Sequence, residues 1–118
     1  MTPPRVIKPA EEAQWRPDTM GKTTLFESRH LLVGLNAFEL GQSHPLHSHL
    51  GMDKLYHVLE GDGVFLLEGR ELPMHVGDLL VAPEGVPHGI RNTGTRRLLV
   101  LAVLAPAPIS SQGAPARG

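Results

Sequence analysis

Residues 60–85, EGDGVFLLEGRELPMHVGDLLVAPEG, contain glycines spaced eight residues apart, with apolar runs between them. The spaced glycines are Gly61, Gly69, Gly77 and Gly85. Runs such as VFLLE and DLLVAP are rich in strand-forming residues, and glycine supplies the positive φ that primed turns require. The stretch therefore predicts short strands joined by tight turns, with hairpin turns at EGDG (60–63) and EGRE (68–71).

The rest of the chain extends this pattern of short strands. We expect further strands at roughly 24–28, 31–40, 44–49 and 96–104, and a third hairpin turn at NTGT (92–95), which gives eight or nine strands in total. The 118 residues suffice for one compact domain, and 13 Gly and 11 Pro favour turns over long helices. No segment shows a sustained helical period. We therefore expect an all-β fold, either a sandwich or a closed barrel.

Composition excludes several classes of partner. The formal net charge is −1, and basic residues are scattered except for Arg96 and Arg97, so no basic face is available to nucleic acid. The chain has no cysteine, so a metal site would need nitrogen and oxygen ligands. The N-terminus lacks an apolar signal segment, and the longest apolar run, LLVLAVLA (98–105), is too short to cross a bilayer. We expect a soluble, cytoplasmic protein that binds neither nucleic acid nor membrane.

The chemistry centres on histidines. His47 and His49 form an H-x-H pair in the predicted strand at 44–49. Side chains alternate between the two faces of a strand, so both imidazoles point the same way and can converge on one point. This is a chelate geometry. Two histidines alone are equally typical of a half-buried or solvent-facing pair, so the pair by itself does not establish a metal site.

Two longer stretches resemble the two motifs of the cupin family. GQSHPLHSHLGMDKLYHVLEG (41–61) is similar to the first motif, which runs glycine, five residues, H-x-H, three or four residues, glutamate, six residues and glycine. GDLLVAPEGVPHGIRN (77–92) resembles the second motif at every defining position, namely Gly77, Pro83, Gly85, His88 and Asn92. The chain thus resembles a small single-domain cupin. The expected roles of Pro83 and Asn92 are structural, and the Asn92 side chain is expected to tie a turn.

The resemblance implies a double-stranded β-helix, or jelly-roll, barrel in which His47, His49 and His88 face a metal inside the barrel mouth. We expect a short N-terminal arm at 1–22, the cupin barrel domain at 23–106 and a flexible, disordered tail at 107–118. Two alternatives stay open for the arm: Trp15 anchors it on a partner subunit, or the arm is strapped to its own domain or partly disordered. A homodimer is expected, since small cupins commonly pair through their sheets and the run LLVLAVLA is strongly apolar.

The sequence departs from the cupin pattern at one position of the first motif. The glutamate that stands seven residues before the closing glycine is replaced by Lys54. A charged ammonium cannot ligate a metal. Either a strand shift lets Asp53 supply a fourth ligand, or the site has three histidines and Lys54 faces inward to capture an anionic substrate. Strand alternation sets Lys54 and Tyr56 on one face and Asp53 on the other, and we favour three histidines, with Lys54 and Tyr56 binding substrate.

The resemblance implies a divalent transition metal, and the sequence does not distinguish among Fe, Mn, Ni, Zn and Cu. Our first hypothesis is a metal-dependent enzyme, dioxygenase-like or an isomerase, that acts on a small anionic substrate at the three-histidine centre. The alternative is a cupin that binds or senses a small-molecule ligand without turnover. A third interpretation is a metal-free barrel whose histidines are only packed polar groups. The fold alone does not decide the reaction, because it hosts many chemistries.

Overall fold

The computed structural model describes residues 3–108 and leaves positions 1–2 and 109–118 outside the description. Within the described range the chain forms a four-residue helix and nine strands, so the fold is all-β as predicted. The elements are α1 Pro9–Glu12, β1 Gly21–Glu27, β2 Leu32–Phe38, β3 Ser43–His47, β4 Asp53–Glu60, β5 Gly63–Leu67, β6 Arg70–Met74, β7 Leu79–Ala82, β8 His88–Arg91 and β9 Leu98–Ala105. In the part of the chain that is described, no helix is long and apolar enough to cross a membrane.

The strands form two sheets with antiparallel pairing throughout the described residues. The five-stranded sheet has the order β1-β2-β9-β4-β7, and the four-stranded sheet has the order β3-β8-β5-β6. Neighbouring strands in each sheet are mostly distant in sequence, as β2 and β9 are. This is the arrangement of a double-stranded β-helix, in which the chain passes repeatedly from one sheet to the other.

The predicted turns differ in what they connect. EGRE closes a hairpin between β5 and β6, as predicted, with Leu67 paired to Arg70. EGDG and NTGT do not close hairpins, because β4 and β5 lie in different sheets, as do β8 and β9. The hairpin prediction was wrong at EGDG and NTGT. A glycine turn determines that the chain reverses, whereas the pairing of the flanking strands depends on contacts distant in sequence.

The space between the sheets holds the main apolar core. In β4 the inward positions Lys54, Tyr56 and Val58 are buried, while the alternate residues are more exposed. Tyr56 and Val58 pack with core residues from both sheets, including Phe38, Val100 and Ile90. The side chain of Asn92 closes one end of this core, since its Nδ2 donates to the carbonyl oxygens of Phe38 (3.1 Å) and Arg96 (2.9 Å). Asn92 thus ties a turn, as expected.

The N-terminal arm packs on the outer face of the five-stranded sheet of its own chain. Trp15 contacts the cluster formed by Leu25, Leu35, Ala37 and Leu99, and the Arg97 guanidinium lies 4.6 Å from the centroid of the Trp15 ring. The arm runs so close to Gly21 that a Cβ at this position would overlap the Gln14 carbonyl oxygen. In this single chain the arm therefore packs against its own domain, which is the second of the two alternatives expected from the sequence.

The ends of the predicted domain shift slightly in the structure. β1 begins at Gly21, two residues before the predicted start of the barrel domain. At the other end, Ala107 is buried against Leu32 and Leu104, so the barrel core includes the first residue of the predicted tail. Positions 109–118 of that tail lie outside the described residues.

Candidate metal centre

Three histidines from the four-stranded sheet and its adjoining loop come together. His47 ends β3 and pairs directly with His88, the first residue of β8, while His49 follows in the loop after β3. The ring centroids of His47 and His88 are 4.3 Å apart, and His49 lies 5.1 Å from His47 and 5.7 Å from His88. One nitrogen from each ring lies within 4.8 Å of the others. This spacing is compatible with one metal ion held by three imidazoles.

Backbone carbonyls orient two of the imidazoles. The Nδ1 atom of His47 lies 2.9 Å from the Pro45 carbonyl oxygen, and Nδ1 of His88 lies 2.9 Å from the Val86 carbonyl oxygen. A carbonyl oxygen only accepts hydrogen bonds, so the ring proton resides on Nδ1 and the lone pair on Nε2. The Nε2 atoms of all three histidines are buried and have no hydrogen-bond partner among the described residues. This donor set fits a divalent transition metal.

The surroundings keep these rings neutral. Burial, with a smaller contribution from the positive charge of Lys54, lowers the pKa of His47 and of His49 to about 4. Burial also lowers the pKa of His88. A neutral imidazole is the form that ligates metals. At neutral pH the three rings therefore need not lose a proton before they bind a metal.

Lys54 points into the barrel and Asp53 points out. Lys54 is 1% exposed, its Nζ has no hydrogen-bond partner within the described part of the chain, and Nζ lies 4.7 Å from the centroid of the Tyr56 ring. Burial, followed by the charge of Lys22, lowers the pKa of Lys54 to about 7. Asp53 is exposed, and its Oδ1 accepts a hydrogen bond of 3.0 Å from the Glu84 amide. Asp53 is thus outside the three-histidine group.

Tyr56 lies next to both Lys54 and His88. Its side chain is fully buried, and its ring centroid is 5.7 Å from that of His88. Burial raises the pKa of the Tyr56 hydroxyl, so this group stays protonated and can donate a hydrogen bond. The hydroxyl has no partner among the residues the structure describes. The substrate residues expected from the sequence, Lys54 and Tyr56, are therefore neighbours in the barrel interior.

Two further polar residues of the barrel, one stacked on His47 and one on the inner face of β2, were not among the site residues expected from the sequence. His44 stacks on His47 with a centroid distance of 4.0 Å, and burial lowers the pKa of His44 to about 2. Asn36 is 1% exposed, and its Nδ2 has no partner in the described range. The available signal for Asn36 was a lone amide within the apolar run LLVGLNAF (31–38), at an inward position of β2. His44 has no such signal, because its placement depends on a register shift between His44 and His47 in β3.

Comparison with known proteins agrees with this fold and site. An "Oxalate-binding protein" of Thermotoga maritima is 41% identical over 64 residues, which cover 54% of this chain and 53% of that protein. An "Acireductone dioxygenase" of Rhodopseudomonas palustris is 37% identical over 65 residues, 52% of this chain and 39% of that protein. The chain thus spans about half or less of these curated relatives.

A solved structure from Thermus thermophilus superimposes with a TM-score of 0.82 at 36% identity, covering 87% of this chain and 98% of that one. The sequence profile of the family described as "Cupin domain" matches residues 35–104, which include all three clustered histidines and Lys54. The match extends over more than half of the chain, from β2 to β9. With its two facing sheets and the histidines at their mouth, this chain belongs to the cupin family.

Proposed function

We propose that this cupin binds one divalent transition metal through His47, His49 and His88 and acts as a metal-dependent, dioxygenase-like enzyme on a small anionic substrate. The observation that carries the proposal is the set of three buried Nε2 atoms, unpartnered among the described residues, in rings that lie close together. A bound metal would supply Lewis acidity and, for a redox-active ion, electron exchange with dioxygen. The chain's own residues bind and orient the substrate.

The charge of the interior supports an anionic substrate. Within residues 3–108, the buried polar or charged residues are Asn36, Lys54, His88 and Asn92, and none of these is a carboxylate. A divalent metal on three neutral histidines would leave its positive charge uncompensated, and an ammonium at Lys54 would add to it. Pairing with an opposite charge stabilises buried charge, so a ligand that brings negative charge would offset that of the metal and of a protonated Lys54. Lys54 and the Tyr56 hydroxyl would then donate hydrogen bonds to that ligand.

The relatives support two different uses of such a site. The name of the Rhodopseudomonas relative, a dioxygenase, supports oxidative turnover, and the name of the Thermotoga relative, an oxalate-binding protein, supports binding of a small carboxylate. Non-catalytic binding is therefore our second candidate function. Both candidates require the metal and the anion, and they differ only in whether the bound ligand is consumed.

Metal analysis and oxygen uptake test the proposal. Protein purified without an affinity tag should contain about one transition metal ion per chain, and His47→Ala, His49→Ala and His88→Ala should each lose most of it. Oxygen consumption by the metal-loaded protein with a panel of small carboxylates, and not by the His88→Ala variant, would support the enzyme. Carboxylate binding without oxygen uptake would support the binding protein. Full metal content in all three variants would show that the metal site is elsewhere.

We also propose that the molecule is a homodimer joined through the outer face of the five-stranded sheet. Five apolar residues are paired in one row across all five strands: Val81, Leu55, Val103, Val33 and Phe26. Val81 is 57% exposed and Phe26 is 40% exposed. The row contains no charged residue, so a second copy of the same row can meet it without repulsion.

A further inference from the structure

Lys54 differs from the other lysines of this chain in its burial. Of the three lysines in the sequence, Lys8 and Lys22 are exposed, whereas Lys54 is 1% exposed. Its Nζ has no hydrogen-bond partner among residues 3–108, and the buried polar or charged residues of that range include no carboxylate that could pair with it. A buried ammonium without a counter-charge is unfavourable. Loss of its proton removes this cost, so the surroundings of Lys54 favour the neutral amine.

Lys54 lies at the end of the barrel that carries the three histidines. It is the second residue of β4 and pairs with Ala82, the last residue of β7. The loop at 48–52 joins the start of β4 to His47, which ends β3 and pairs with His88. The positive charge of Lys54 contributes to the lowered pKa of both His47 and His88, so its Nζ lies within electrostatic reach of the cluster. A ligand at the histidines therefore lies near this amine.

The environment of Lys54 is the kind that makes a lysine nucleophilic. A lysine is activated when it is desolvated in an apolar pocket or lies next to another cation, because both conditions favour the neutral amine. Burial, followed by the charge of Lys22, lowers the pKa of Lys54 to about 7. A metal ion at the histidines would act in the same direction. A neutral primary amine attacks carbonyl carbon and forms an imine, as Schiff-base lysines do.

The ring of Tyr56 suits the product of such an attack. The Nζ of Lys54 lies 4.7 Å from the centroid of the Tyr56 ring. A protonated imine keeps its positive charge on this nitrogen, and a cation within about 6 Å of an aromatic ring is stabilised by the ring. A carboxylate next to the carbonyl would offset the remaining charge. The substrate class that combines a ketone carbonyl with an adjacent carboxylate is the 2-oxo acids.

We propose that Lys54 is a nucleophile that forms a reversible imine with small 2-oxo acids. The Nζ lone pair forms a bond to the carbonyl carbon, the carbon–oxygen bond breaks, and the oxygen leaves as water with the two N–H protons. The carbon–nitrogen double bond that remains then accepts a proton from solvent. No electrons are gained or lost, so the step needs no oxidant or reductant. Placing the substrate carboxylate at the histidines rests on the proposed function, whereas imine formation requires only Lys54.

Reductive trapping with pyruvate and borohydride tests the nucleophile. Borohydride reduces an imine to a stable amine, and mass spectrometry of the digested protein locates the adduct among the three lysines. In metal-free protein at neutral pH, Lys54 should be modified about tenfold or more faster than Lys8 and Lys22, because a larger fraction of its amine is neutral. Acetate, which has no ketone carbonyl, should give no adduct.

A matched pair of variants assigns the adduct. Lys54→Arg keeps a positive charge but cannot form an imine, and it should lose the rapid modification. Lys22→Arg, the same change at an exposed position, should retain rapid modification of Lys54. If the unmodified protein, folded by circular dichroism, is trapped at Lys54 no faster than at Lys8 and Lys22, the proposed nucleophile is wrong. This result does not depend on whether either variant folds.

A comparison of pyruvate with acetone tests the substrate class. Acetone carries the ketone without the carboxylate, so loading the protein with metal should raise the ratio of pyruvate to acetone trapping at Lys54 several-fold. An unchanged ratio would refute the placement of the carboxylate at the histidines. Absence of metal from the purified protein would refute the proposed metal centre instead. Trapping at Lys54 in the metal-free protein would still decide the nucleophile, because that step needs no metal.

Discussion

At the scale of single residues, two backbone carbonyls prepare the metal centre. Pro45 and Val86 each accept from the Nδ1 of a histidine two residues later in the chain, which leaves Nε2 as the metal-binding atom. Contacts with a residue two positions earlier in the chain thus set which ring nitrogen of His47 and of His88 can bind a metal. The clustering of the two histidines is not local, because it depends on the pairing of β3 with β8.

Lys54 and Asp53 are adjacent in sequence and should behave differently on substitution. Lys54→Met removes the buried charge and keeps most of the volume, so we expect metal affinity to be equal or higher and carboxylate affinity to fall about tenfold or more. Asp53→Ala should leave both affinities unchanged, since the Asp53 side chain is exposed and contacts the Glu84 amide. Metal and carboxylate titrations of the two variants measure this. Loss of metal in the Asp53 variant alone would overturn the three-histidine interpretation.

At the scale of elements, the register of β4 determines what faces the barrel interior. Lys54 pairs with Ala82 and Leu104, and Tyr56 pairs with Leu80 and Ala102. The register shift in β4 occurs between Val58 and Glu60, beyond the site, so it leaves the alternation at Asp53 and Lys54 intact. A shift of one residue in the register would have turned Asp53 toward the interior and Lys54 toward solvent.

The turns between elements differ in their tolerance of a side chain, and Gly61 and Gly69 form a matched pair. Both have positive φ, 80° and 77°. A Cβ at Gly69 would meet open space, whereas one at Gly61 would overlap the Arg97 carbonyl oxygen. Gly69→Ala should lower the free energy of unfolding by about 1 kcal/mol, and Gly61→Ala by about 2–4 kcal/mol. Urea unfolding measures both, and equal losses would contradict the role assigned to the close contact.

At the scale of the whole molecule, the buried histidines link stability to pH. Burial lowers the pKa of His47 and His49 from 6.5 to about 4 and that of His44 to about 2. Between pH 6.5 and 4 the unfolded chain therefore binds more protons than the folded chain, so stability falls as pH decreases through this window. Well above pH 6.5 these groups are neutral in both states and contribute no pH dependence.

Thermal unfolding of the metal-free protein tests this linkage. The Tm should fall between about pH 6.5 and about pH 4.5, and His44→Gln should show a smaller fall because one titrating ring has been removed. Metal-free protein is needed, since a bound metal would itself compete with protons for three of the rings. The same pH dependence in the variant would show that His44 does not contribute.

The outer face of the five-stranded sheet is the second whole-molecule feature. We expect light scattering at micromolar concentration to give the mass of a dimer. Val81→Glu places a charge in the apolar row of an edge strand and should shift the protein toward monomer, while Val6→Glu, at an 88% exposed position of the arm, should not. A monomer in the unmodified protein would refute the dimer, and an unchanged dimer in the Val81 variant would refute this face as its interface.

The sequence by itself determined the strand content, the cupin family and the group of His47, His49 and His88. Glycine spacing and strand alternation are local properties, and the spacing within the two motifs identifies the positions of the three histidines. The tertiary structure decided which turns cross between the sheets, that the arm covers its own domain, and that Lys54 is buried while Asp53 is exposed. It also stacked His44 on His47 and buried Asn36 on the inner face of β2. These features arise from pairing between strands distant in sequence, and local patterns do not specify which strands pair.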